Sequence, residues 1–269
     1  MSDQKRHIFI TGGASGIGRA VARHFGERGW FVTVTDIDAR GLEDTLGLIP
    51  GGFKFSYELD VRDRDAWDRA LEAASTAAGG RIDVVFNNAG IGTGGPLAEL
   101  DVEEIDRCLD INLRGVLYGA QAAHPHLVKT APGSALVNTA SAAGIAGGSG
   151  MSVYSATKFA VRGVAECLDA EWAEDGITVA SICPSFIETP LLDGTGHRGS
   201  NELIRDRVKE AGLEITPVEE VAEAVWDAVH GDKVHYLVGK TAKKLNFAKR
   251  WMPGRVRAQQ RGAAGLLGR

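Results

Sequence analysis

The chain has 269 residues, 44% of them hydrophobic and 24% charged, enough for a sizeable core and, for an alternating α/β chain, a length that fits one domain. No apolar run approaches the roughly 20 residues that span a bilayer. Three cysteines, Cys108, Cys167 and Cys183, are too widely spaced for a metal or disulfide pattern and read as reduced, mostly buried thiols.

Met1 to His7 shows no signal-peptide pattern and runs straight into a short apolar strand, His7 to Thr11, which fits a cytoplasmic protein. The strand empties into Gly12-Gly-Ala-Ser15-Gly16-Ile17-Gly18 and then a helical pattern over Arg19 to Arg28. Strand, glycine loop and helix in this order form a phosphate-binding context. Gly12 permits the tight turn, Gly16 lets backbone N–H groups approach a pyrophosphate, and Gly18 lets the helix pack near the strand. The helix N-terminus then faces the anion. The spacing is G-x-x-x-G-x-G, and the competing reading is a plain turn.

A second strand, Trp30 to Thr35, ends at Asp36, 18 positions after Gly18. A carboxylate at this strand tip can accept hydrogen bonds from an adenosine ribose and would repel a 2′-phosphate. No Arg or Lys lies in the glycine loop or directly beside Asp36, so NAD is expected over NADP. Arg40 is the nearest side chain able to accommodate a phosphate.

The alternation continues. Phe53 to Leu59 reads as a strand leading to Asp60-Val61, followed by a helix with Asp63 as N-cap and Trp67, Ala70, Leu71 and Ala74 at helical spacing. Ile82 to Phe86 is a buried strand ending in Asn87-Asn88-Ala89-Gly90 and a flexible Ile-Gly-Thr-Gly-Gly95. Asp101 to Glu104 has capping-box spacing and opens a long helix towards Lys129. Asn112 in its middle is mildly unfavourable there, so it is either exposed or has a task. Ser134 to Thr139 is a fifth strand, and Ser141 follows in a small-residue loop where the ordinary reading is a turn serine. Tyr154 and Lys158, four residues apart, share a helix face; an ammonium beside a phenol favours the phenolate, which makes a general acid/base of an ordinary tyrosine. That helix runs to about Glu174, and Ile177 to Ile182 is a sixth strand ending at Pro184.

From Glu188 to Ile215 the pattern breaks into what reads as a mobile substrate lid. Thr216, Pro217 and Glu219 fit the N-cap, first and third positions of a helix to about Val229, and His235 to Val238 is a last strand. After Gly239 comes a tail with nine Lys/Arg and no Asp/Glu, against 21 basic and 35 acidic residues before it. It either packs on a neighbouring subunit, the favoured reading, lies on an anionic membrane as a broken amphipathic helix, or helps close the substrate cleft. Pro253-Gly254 breaks it in two. Nucleic-acid binding is not expected, because the body is acidic.

Strands alternating with helices predict a parallel sheet of about seven strands with helices on both faces, as residues 1–239, followed by the tail 240–269. The motifs Thr11-Gly-x-x-x-Gly-Ile-Gly18, Asp60-Val61, Asn87-Asn-Ala-Gly90, Asn112, Ser141, Tyr154-x-x-x-Lys158 and Pro184-x-x-Ile-x-Thr189 occur in an order and at spacings that resemble the short-chain dehydrogenase/reductase family over roughly Lys5 to Gly239. The resemblance implies a single-domain, Rossmann-like, doubly wound fold. It implies that Tyr154 exchanges a proton with the substrate oxygen, Ser141 orients that oxygen, Lys158 lowers the Tyr154 pKa and binds the nicotinamide ribose, and Asn112 holds a water linking Lys158 to solvent. It also implies that Gly12, Ser15, Gly16, Ile17, Gly18, Asp36, Asp60, Val61, Asn88, Ala89, Gly90, Ile187 and Thr189 border the cofactor together with Tyr154 and Lys158. Pro184-Ser185 departs from the family's frequent Pro-Gly.

The expected activity is NAD-dependent interconversion of a secondary alcohol and a ketone. The alternatives are a non-catalytic NAD-binding sensor and an NADPH-dependent ketone reductase. Candidate substrate-lining residues are Ala143, Ile145, Met151, Phe186, Leu191 and Leu192, with His197 beside them; the mostly apolar set suits a lipophilic substrate, and the competing reading is that several simply pack the lid. A homodimer or homotetramer through the helices carrying Asn112 and Tyr154 is expected from the family.

Overall fold

The computed structural model of the chain describes residues 5–195 and 201–267, with side chains described as far as residue 261. Strand β1 (His7–Thr11) leads into α1 (Gly16–Glu27), β2 (Phe31–Asp36) into α2 (Ala39–Leu48), and β3 (Lys54–Glu58) into α3 (Arg64–Ala77). Strand β4 (Val84–Asn87) is followed by α4 (Val102–Leu109), a π-helical turn (Asp110–Arg114) and α5 (Gly115–Val128), and β5 (Ser134–Thr139) by α6 (Ser152–Glu171). The chain goes on through β6 (Ile177–Pro184), a two-residue β7 (Phe186–Ile187), α7 (Ile204–Glu210), β8 (Ile215–Thr216), α8 (Val218–His230) and β9 (His235–Val238). Two tail helices follow, α9 (Lys240–Trp251) and α10 (Pro253–Leu267).

The main sheet has seven parallel strands in the order β3-β2-β1-β4-β5-β6-β9, and β7 pairs with β8 beside it. Strand side chains alternate between faces, and both faces are apolar. Ile8, Ile10, Val84, Phe86, Ala135 and Val137 meet Val21 and Phe25 of α1, Leu42 of α2 and Val221 and Val225 of α8. Phe9, Val85, Leu136 and Val179 meet Trp67 and Leu71 of α3, Leu127 of α5 and Ala165 of α6. This two-sided burial favours near-continuous apolar runs in the inner strands, which makes them legible in the sequence, whereas the edge strands β3 and β9 are mostly half-buried. The strand order reverses between β1 and β4, opening a crevice beyond their carboxyl ends.

Capping follows the expected chemistry with one correction. Asp63 accepts from the N–H groups of Asp65 and Ala66 at 2.9 and 3.1 Å, and Glu104 closes the capping box on the Asp101 N–H at 3.0 Å. Thr216, however, ends β8, and Pro217 is the N-cap of α8, with Glu219 and Glu220 in the first turn. The strand pairing of Ile187 with Thr216 holds Thr216 extended, so the helix starts one residue later. The single helix expected from Asp101 to Lys129 is three pieces, with its π turn at Asn112. Of the three thiols, Cys108 and Cys183 are buried and Cys167 is exposed.

His7 is fully buried, with Nδ1 2.6 Å from the Arg81 carbonyl and Nε2 2.8 Å from Thr33 Oγ1. One neutral tautomer serves both, donating from Nδ1 and accepting at Nε2. Burial pushes its pKa from 6.5 down to about 4. The unfolded chain therefore takes up this proton first, and stability falls as the pH drops from 6.5, by about 3 kcal/mol at pH 4. Denaturant titrations across this window are expected to show that loss, and a His7→Gln variant a much shallower one; equal slopes would contradict it.

Candidate active site

The glycine loop after β1 is shaped by three close approaches. Gly12 and Gly16 have φ of +66° and +49°, where a side chain would be strained. A Cβ on Gly12 would lie 2.9 Å from Ala89 Cα, and one on Gly18 would overlap the Gly12 carbonyl. A Cβ on Gly16 would lie 3.3 Å from Thr189 Cγ2, so the loop faces the segment after β7. Ser15 is the exposed N-cap of α1 without a side-chain cap bond, and Ile17 is half-buried against the core. This leaves an uncluttered backbone cradle at a helix N-terminus, which suits a pyrophosphate.

Asp36, at the end of β2, accepts from the Ala14 N–H at 3.2 Å with Oδ2, and from the Ile37 and Asp38 N–H groups at 2.8 and 3.2 Å with Oδ1. Two carboxylate oxygens offer about four acceptor sites, so capacity remains for a ribose hydroxyl. Arg19 was missed by sequence reasoning. It donates to the Ala14 carbonyl, to Thr45 Oγ1 at 3.0 Å and to Gly41 O at 3.3 Å, pinning the loop to α2. Asp60 is gripped by Arg62 through bonds of 2.6 and 3.0 Å, which hold its carboxyl below the ordinary carboxylate pKa. Val61 is buried, and its carbonyl accepts from the Trp67 indole at 3.0 Å.

Asn88 ties three strand ends together. Its Nδ2 donates to the Thr11 and Gly12 carbonyls at 3.0 and 3.2 Å, and its Oδ1 accepts from Thr139 Oγ1 at 3.2 Å. In return Thr11 Oγ1 accepts the Asn88 and Ala89 N–H groups at 3.0 and 3.1 Å. The carboxyl ends of β1, β4 and β5 are thus one unit, with exposed Gly90 at its rim.

Asn112 is completely buried, which settles the alternative left open by the sequence. Its amide pairs with both backbone groups of Ile91, each at 2.8 Å. A Cβ on Gly90 would lie 3.2 Å from Asn112 Oδ1 and 3.6 Å from Lys158 Nζ, so the Gly90 backbone sits between the two. π turns are enriched at functional sites, and this one sets the Asn112 amide against Ile91, beside the Gly90 backbone.

Ser141, Tyr154 and Lys158 converge at the same end of the sheet. Ser141 Oγ accepts from the Ala143 N–H at 3.1 Å, and the Ser141 hydroxyl lowers the pKa of the Tyr154 phenol. Lys158 Nζ lies 5.7 Å from the Tyr154 ring centre and donates to the Thr139 carbonyl at 2.7 Å. Burial pulls the Lys158 pKa from 10.5 to about 8. Burial also raises the Tyr154 phenol above 10, opposed by the Ser141 hydrogen bond. In the chain by itself, therefore, Lys158 does not hold Tyr154 as a phenolate. Burial outweighs the neighbouring ammonium.

Of the candidate lining, Ala143, Met151 and Phe186 are half-buried, and Leu191 is half-exposed, its Cδ1 3.3 Å from where a Gly92 Cβ would lie. Ile145 and Leu192 are buried, Ile145 in a cluster with Val116, Ala140, Val161 and Cys183. Ile187 is buried in β7, and Thr189 Oγ1 bonds the Ile187 carbonyl at 3.3 Å. His197 lies outside the described residues. Ser185 meets the backbone without strain, its N–H donating to Val238 O at 3.1 Å, and no described non-glycine residue has a positive φ. Among the described residues no cluster of three or more His, Cys, Asp or Glu could hold a metal ion, and no helix is long and apolar enough to cross a membrane.

Residues 6–198 match the short chain dehydrogenase family. The chain belongs to that family. It is 34% identical over 263 residues to a Mycobacterium tuberculosis protein named "Probable oxidoreductase EphD", covering 94% of this chain but only 44% of that protein. Meso-2,3-butanediol dehydrogenase of Serratia marcescens is 31% identical over 86% of this chain and 90% of its own length. The structure of a 3-ketoacyl-(acyl-carrier-protein) reductase from Brucella melitensis, complexed with NADH, superposes with a TM-score of 0.77 at 29% identity, over 88% of this chain and 98% of that one.

Replacing Asn112 with Ala is expected to leave both backbone groups of Ile91 unpaired and to destabilise the fold by about 2 kcal/mol. A denaturation midpoint unchanged from wild type would show that the Ile91 peptide finds other partners.

Proposed function

We propose that this chain is an NAD-dependent oxidoreductase that interconverts a lipophilic secondary alcohol and its ketone. The observation that carries the reading is the convergence of Ser141, Tyr154 and Lys158 beside a glycine cradle at the switch point of the sheet. The cradle of Gly12, Ser15, Gly16, Ile17 and Gly18 would hold the pyrophosphate, and Asp36 the adenosine ribose. Asp60 and Val61 would meet the adenine, Asn88, Ala89 and Gly90 the edge of the cofactor, and Ile187 and Thr189 the nicotinamide carboxamide. When bound, the cofactor supplies or accepts the hydride.

Within that frame the chain moves one proton. Ser141 Oγ donates to the substrate oxygen and fixes it against Tyr154 Oη. In the oxidation direction Tyr154 Oη takes the hydroxyl proton, and in reduction it returns it. Lys158 Nζ favours the ionised phenol and would reach the nicotinamide ribose; Asn112, aimed at the Gly90 backbone, would hold a water leading from Lys158 to solvent. Half-buried Ala143, Met151 and Phe186 with Leu191 support an apolar substrate. The Serratia relative is named for an alcohol and the Brucella neighbour for a keto group, which supports chemistry at a CH–OH carbon.

Two further parts of the reading rest on single observations. Arg40 is exposed in the first turn of α2, near enough in sequence to Asp36 to make NADPH-dependent ketone reduction the second reading. Exposed Leu117 on α5 and Phe159 on α6 support a homo-oligomer joined through those helices.

Tyr154→Phe keeps the ring and removes the proton carrier. It is expected to retain NADH affinity, followed by nicotinamide fluorescence, while turnover of secondary alcohols falls at least about 100-fold. In the same titration the wild type is expected to bind NADH more tightly than NADPH. An active Phe variant would overturn the catalytic assignment, and equal or tighter NADPH binding would move the reading to the NADPH-dependent reductase.

A further inference from the structure

The family match stops at residue 198, and the tail that follows the last strand has no assigned task. In the structure this tail is packed onto the chain that carries it. Ala242 and Val256 are buried, and Leu245 packs against the cluster of Val116, Ala140, Ile145, Val161 and Cys183, behind the loop that carries Ser141. The start of α9 is tied to the far end of the lid: Glu214 accepts from the Lys240 N–H at 3.0 Å and pairs with Lys240 Nζ at 3.1 Å. Further on, Gln260 of α10 donates its side-chain N–H to the Gly147 carbonyl.

Gln260 grips a glycine-rich stretch of the site. Ala146-Gly-Gly-Ser-Gly150 joins Ser141 to the first turn of α6, where Tyr154 sits. Three glycines in five residues give this stretch large backbone freedom. The N-cap of α6, Met151, makes no side-chain cap bond. Gly150 is held from one side by the Gly95 N–H, which donates to its carbonyl at 2.7 Å. Gln260 supplies a hold from the tail side.

We propose that α9 and α10 form a brace running from the lid to the Ser141–Tyr154 loop, with Gln260 as a positioning residue that keeps Ser141 and Tyr154 in register for substrate. Its kinetic consequence rests on the oxidoreductase reading above; its structural consequence does not. The glycine cradle and Asp36, which would carry the cofactor's phosphates and adenosine ribose, lie away from the residues the brace touches.

The test is hydrogen–deuterium exchange of the full-length protein, of Gln260→Glu, which replaces the donor with an acceptor facing the Gly147 carbonyl, and of a chain ended after Met252. Amides of residues 142–151 are expected to exchange about tenfold faster in both variants, with β1 and β2 unchanged. Gln260→Lys, which restores a donor, is expected to recover most of the protection. With secondary alcohols the Glu variant is expected to raise KM about fivefold, with the NADH dissociation constant within about twofold of wild type. Unchanged exchange at 142–151 in both variants overturns the brace. If no alcohol or ketone is turned over by the wild type, the exchange result still decides the brace while the function reading falls.

Discussion

An ammonium ion buried against one carbonyl sets the terms for the candidate site. Lys158 Nζ sits almost out of reach of water and donates to the Thr139 carbonyl at 2.7 Å. Taking a charge out of water is expensive unless it is paired. The chain meets that cost only in part, and the Lys158 pKa falls to about 8. Two N–H positions of the ammonium are left for other acceptors. A site with a half-compensated cation beside a raised phenol is poised for a partner that the chain does not itself provide, and strain of this kind is expected where function outweighs stability.

The fold exists to bring those groups together from distant parts of the chain. A parallel sheet puts every strand's carboxyl end on one edge, so the glycine loop after β1, the Asn88 knot after β4, Ser141 after β5 and the Thr189 segment after β6 share one rim. Asn88 and Thr11 lock three of these ends through backbone carbonyls and N–H groups. The rim beyond β5 and β6 is less firmly built. There Arg205 pairs with Glu188 and with Asp193 at 2.9 Å, and Leu245 of the tail packs behind the Ser141 loop.

The inner strands were legible because burial on both faces favours apolar, largely β-branched runs, and the candidate reactive residues were legible because their motifs sit at fixed places relative to those strands. What the sequence concealed was mostly long-range. Helix α2 escaped notice because Gly41 and Gly47 weaken its periodicity; Gly41 is there because a Cβ would meet the Ala14 Cβ at 2.7 Å. The π turn at Asn112 depends on pairing with Ile91, 21 positions earlier. Thr216 was read as a cap from local chemistry, and a two-residue strand pairing overrode it. The bond from Gln260 to Gly147 spans 113 positions and leaves no local signature. The mutual effect of Tyr154 and Lys158 was read from spacing alone, whereas burial acts on both and with opposite sign.

The central proposal is that Tyr154 is the proton carrier, its phenol held above its ordinary pKa by burial in the chain by itself. The most direct measurement is kcat/KM for oxidation of a secondary alcohol with NAD from pH 6 to 10, which reports ionisations of the free protein. Activity should still be climbing at pH 10, because the buried Tyr154 phenol keeps its proton above its ordinary pKa. A profile that stays flat across this range, or that reaches its plateau by about pH 7, would mean that the acid/base lies elsewhere.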